Sequence, residues 1–93
     1  MTYFTWQFLG NGIFDVPIIL TGYITGDSHV YASICELKDI QGENNNPITW
    51  VGDANMSVLN IVPQDDGTLT IRVNVDWGSP LFCQLKIIVA SVD

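Results

Sequence analysis

Between Gly67 and Val89 apolar and polar residues alternate with a period of two. Leu69, Ile71, Val73, Val75 and Trp77 fall on every second position, with Thr68, Thr70, Arg72, Asn74 and Asp76 between them. That is the period of a half-buried strand. After Gly78-Ser79-Pro80 the alternation resumes at Leu81, Cys83, Leu85, Ile87 and Val89. Two alternating runs across a Gly/Ser/Pro turn predict a β-hairpin. Directly paired residues share a face of a sheet. A loop of residues 78–80 would therefore pair Trp77 with Leu81, Val75 with Cys83, Val73 with Leu85 and Ile71 with Ile87, an all-apolar set. A loop of Gly78-Ser79 alone would carry Gln84 and Lys86 into that face, so burial favours the longer loop. The opposite face carries Thr70, Arg72, Asn74, Asp76, Gln84 and Lys86, interrupted by Phe82 and Ile88.

The same reading extends to the rest of the chain. Residues 2–9 are aromatic-rich and alternate, and Asn11-Gly12 after them is a hairpin signal leading into a strand over residues 13–24. Pro17 cannot donate to a ladder and marks an edge, a bulge or a break. Residues 29–40 read as a strand, with a bulge near Cys35–Glu36 where Leu37 breaks phase. Gln41 to Pro47 is a polar connection, followed by a short strand at residues 47–51 and another at 56–62. About seven short strands separated by Gly/Asn/Asp/Pro turns predict one all-β domain over residues 1–93. The expected architecture is a small antiparallel β-sandwich, with a small β-barrel as the alternative.

Composition adds an expectation of association. Hydrophobic residues make up 47% of the chain and charged residues 14%, against roughly 25% charged in an average soluble domain. So little charge on so small a domain predicts apolar surface closed against another subunit. Phe82 and Ile88, left on the non-core face, are the candidate residues of a homo-oligomer interface.

Charge excludes other partners. The net charge is −7, with Lys38, Arg72 and Lys86 the only basic residues. Phosphate neutralisation needs more cations than this, so no nucleic-acid binding is expected. Adsorption to an anionic membrane fails for the same reason, and no apolar run approaches the roughly 20 residues of a bilayer span. The start of the chain does not join a basic segment to a long apolar run. Synthesis without export is therefore expected, with release or incorporation into a particle as later fates.

Candidate chemistry is sparse. Cys35 and Cys83 form no CxxC pair, His29 is the sole histidine, and the carboxylates are dispersed through loops. No metal site, cofactor or catalytic residue is expected. Cys83 reads as an apolar filler, and a reduced state is the default for both thiols. Asp53-Ala54-Asn55 has a D-x-N spacing without the rest of a calcium loop. Asp65-Asp66-Gly67 reads as a turn. Aromatics beside amides form the more pointed set. Trp50, Trp77 and Tyr23 lie near turns containing Asn45, Asp53, Asn55 and Asp76. Sugars present apolar ring faces and many hydroxyls, which an aromatic platform beside amides and carboxylates recognises. The expected function is a non-enzymatic, self-associating module that binds a glycan or a receptor. It would act as a soluble lectin or as part of a virus or phage particle. A small acidic inhibitor docking on a basic host protein is the alternative.

Overall fold

The computed structural model describes residues 1–38 and 48–90. Seven strands occupy them: β1 (Thr2–Gly10), β2 (Gly12–Ile19), β3 (His29–Lys38), β4 (Ile48–Trp50), β5 (Asn55–Pro63), β6 (Thr68–Asp76) and β7 (Leu81–Ala90). They form two antiparallel sheets, a four-stranded one in the order β1-β7-β3-β4 and a three-stranded one in the order β2-β6-β5. One of the two sheets is curled into a half-barrel, and the fold is all-β.

The inward face of the central strands is the one the alternation predicts. Leu69, Ile71, Val73, Val75, Cys83 and Leu85 are fully buried, with Ile87 and Val89 nearly so. Val16, Ile18, Leu20 and Ile24 complete a core drawn from both sheets.

The partners are not the predicted ones. β6 and β7 are not a hairpin: β6 pairs with β2 and β5, and β7 with β1 and β3. Residues 77–80 carry the chain across from one sheet to the other. Val73 and Leu85 therefore belong to different sheets and share one core, the sheets being stacked rather than the strands paired. Facing strands and paired strands both need their odd positions apolar, so burial alone does not separate the two. The Asn11-Gly12 hairpin is overturned in the same way. β1 lies in one sheet and β2 in the other, and the two crossovers are tied by Asn11 Nδ2 donating to the Trp77 carbonyl at 3.1 Å.

One strand end and the place of the bulge also differ. β2 ends at Ile19, and residues beyond it turn, with Tyr23 N–H donating to the Leu20 carbonyl at 3.0 Å. The β3 ladder against β7 runs unbroken through Cys35 and Glu36, so no bulge lies there. The observed irregularity is in β5, between Val58 and Asn60. The polar connection Gln41 to Pro47 lies outside the described residues.

Splitting β6 from β7 also splits the supposedly mixed outer face in two. Thr70, Arg72, Asn74 and Asp76 lie on the outside of the three-stranded sheet, where Arg72 Nε donates to Asp15 Oδ1 at 2.7 Å. Phe82, Lys86 and Ile88 lie on the outside of the four-stranded sheet, beside Leu9, Thr5 and Tyr3 of β1.

Candidate functional site

The sandwich has two ends, and strand register sorts the candidate residues between them. Asn55 opens β5 directly opposite Asp76, the last residue of β6, and Trp77 follows. Trp50 ends β4 opposite Glu36 of β3, and Glu36 in turn pairs with Cys83 of β7. Trp50, Asn55, Asp76 and Trp77 thus collect at one end, although they come from separate turns. Asp53 lies in the short turn between β4 and β5. Tyr23 lies at the far end, where its ring meets Phe4 edge-on at 5.3 Å. Asn45 is outside the described residues.

A cavity of about 280 Å³ opens at the collecting end. Its walls include Trp50, Asn55, Met56, Gly52 and Glu36. Trp50 and Trp77 are each 43% exposed. The Lys38 ammonium lies 5.9 Å from the Trp50 ring centroid, a cation–π contact. Glu36 was missed by sequence reasoning. It sits mid-strand rather than in a turn, and the register places it on the inner side, where the sandwich opens. Its carboxylate lies directly against Gly52. A Cβ at Gly52 would overlap Glu36 Oε1. The break of phase at Glu36–Leu37 was the available signal.

The cavity thus offers one indole, one amide and one carboxylate. An indole face packs against the C–H face of a pyranose, while amide and carboxylate take hydroxyls as donors and acceptors. The free thiol of Cys35 also lines the cavity, whereas Cys83 is buried beneath it. Burial pushes the Cys83 thiol up to about 11, with the Glu36 carboxylate adding to the shift. A thiol so held is unreactive at neutral pH. Both cysteines are free, and Cys35 is only half-buried. Among the described residues no three His, Cys, Asp or Glu side chains converge on a metal-sized space. His29 is exposed at the start of β3.

The interface candidates lie elsewhere, on the outside of the four-stranded sheet. Phe82 is 42% exposed and pairs with Leu9, while Ile88 pairs with Tyr3 on one side and Tyr31 on the other. Tyr3, Ile88 and Tyr31 with Lys86 line a groove of about 460 Å³. The face is apolar at both ends, with Lys86 between Thr5 and Ser33 in the middle.

No protein-family model matches the chain, and comparisons with curated proteins and with solved structures returned no match.

Proposed function

We propose that the protein is a non-enzymatic binding module that recognises carbohydrate at the Trp50 end and associates with itself through its four-stranded sheet. One observation carries the first half of this reading. Strand register brings Trp50, Asn55 and the Glu36 carboxylate to the walls of one open cavity, with Asp76 opposite Asn55. Glu36, Trp50 and Asn55 come from three different strands, and an indole beside an amide and a carboxylate suits a sugar. The exposed Phe82, Tyr3 and Tyr31 support the second half, since exposed apolar patches mark interaction surfaces.

A glycan array probed with labelled protein tests the carbohydrate reading. Trp50→Ala should lose at least about tenfold in affinity for whatever glycan binds, the loss of roughly 1.4 kcal/mol from one contact residue. Gly52→Ala should weaken binding as well, by forcing the Glu36 carboxylate aside. Lack of binding to any glycan by the folded protein would remove the reading.

A second reading rests on the opposite end. There the Gly26 N–H donates to Asp65 Oδ1 at 2.8 Å, bringing the turn that holds Asp27 against the turn that holds Asp65 and Asp66. Three carboxylates in adjacent turns suit an acidic inhibitor that docks on a basic protein. A complex that forms at low salt and dissociates at moderate salt would favour this reading over sugar binding.

A further inference from the structure

Among the described residues the two sheets have four edge strands, and three of them carry features that blunt pairing with another chain. β2 carries Pro17 within the strand and the Asp15–Arg72 ion pair. β5 carries the irregularity near Leu59 and ends in Pro63. β4 is only three residues long and covers only Glu36–Lys38 of β3, but β5 runs close to β3. Proline, charge, bulges and shortness are the devices that blunt a sheet edge.

β1 has none of them. Its nine residues, TYFTWQFLG, include no proline and no charged residue. All nine pair with β7 in unbroken register. Among the described residues no strand pairs with its other side. At ~3.3 Å per residue this leaves roughly 30 Å of backbone whose outward N–H and C=O groups have no strand partner. The side chains beside the edge are apolar on both faces. Tyr3 and Leu9 are 68% and 57% exposed on the outside of the sheet, and Trp6, on the inner side, is 43% exposed although its register partner Leu85 is fully buried.

We infer that β1 pairs antiparallel with β1 of a second copy, joining two four-stranded sheets into one of eight strands. This deepens the self-association proposed above by naming its seam. Antiparallel pairing about a twofold axis makes this edge its own complement. The edge itself adds no like-charge contact between two copies. Two chains of net charge −7 repel, and none of the ten carboxylate residues lies in β1. The edge is also continuous with the exposed outer face, because Leu9 pairs with Phe82 and Tyr3 with Ile88. Full overlap of the nine-residue strand centres the twofold on Trp6, setting Thr5 opposite the partner's Gln7. One pair of edge strands buries less than the ~1,600 Å² of a standard interface, so the dimer dissociates in the micromolar range.

Sedimentation velocity across micromolar to millimolar concentration should show a shift from 10.3 kDa to twice that mass. Gln7→Lys places like charges beside the axis and should weaken the dimer at least tenfold while melting cooperatively. In a Cys35→Ser background, mixing Thr5→Cys with Gln7→Cys should give a disulfide-linked dimer. Directly opposed Cβ atoms lie ~4.5–5.5 Å apart, near the range for a disulfide. Thr5→Cys alone should link far less. A dimer that ignores Gln7→Lys but is lost in Phe82→Glu would overturn the edge seam and leave self-association standing. A monomer at every concentration would overturn both.

Discussion

Leu85 sits at the centre of the account of the core. It is fully buried, pairs in register with Trp6 on one side and Ile34 on the other, and belongs to the cluster shared by the two sheets. Leu85→Ala removes three carbon groups. At about 0.8 kcal/mol each, the transfer term is about 2.4 kcal/mol. The cavity left behind adds to this, so the total should fall in the range of about 2.7–5 kcal/mol. For a domain of this size each kcal/mol lowers Tm by about 4–8 °C, so a loss of at least ~10 °C is expected. Lys86 is the control, one residue along and exposed on the outer face. Lys86→Ala should cost no more than about 0.5 kcal/mol. Urea unfolding followed by far-ultraviolet circular dichroism measures both, at one fixed protein concentration because dimerisation raises apparent stability. A Leu85→Ala cost below about 1 kcal/mol, or equal costs at the two positions, would refute the assignment of faces.

Two further experiments address topology and the buried thiol. In a Cys35→Ser background, Phe8→Cys should oxidise onto Cys83, its register partner, whereas Val75→Cys should not, because it lies in the other sheet; the reverse result would restore the hairpin. A thiol reagent at pH 8 should modify Cys35 in the folded protein and spare Cys83. The unfolded Cys83 thiol ionises from near 9.0, whereas the folded one stays protonated to about 11. The unfolded chain therefore binds fewer protons in that interval, and Cys83 makes stability fall as pH rises from 9 towards 11. Cys83→Ser should flatten that part of the stability profile; an unchanged slope would contradict the assignment.

How far the sequence discloses this molecule depends on what each pattern constrains. Alternation constrains faces, and the inward set from Leu69 to Val89 is buried as the period of two requires. Alternation does not constrain partners. Two strands paired in a ladder and two strands stacked across a core leave the same trace, which is why residues 77–80 read as a hairpin loop, while at Asn11-Gly12 the turn dipeptide itself suggested one. Leu20 and Ile24 are buried without being in a strand, because the turn after β2 folds them under the sandwich. Leu37 broke the alternation of β3 not through a bulge but because it is buried although the alternation places it on the outer face, as is Gln84 on neighbouring β7. At the candidate site, Trp50, Asn55, Asp76 and Trp77 were legible as polar and aromatic residues at strand ends, and the register gathers them. Glu36 was not, because a carboxylate inside a strand has an obvious role only once the open end of the sandwich is known.

Glycan binding with and without the Trp50 indole tests the central claim most directly. Isothermal titration of the wild-type protein with the best glycan from an array should give saturable binding. Trp50→Ala should weaken it at least tenfold while keeping the wild-type Tm to within a few degrees, since Trp50 is 43% exposed at the end of a three-residue strand. Undiminished affinity in a folded Trp50→Ala protein would contradict the proposed site, and an absence of glycan binding by the wild type would contradict the function.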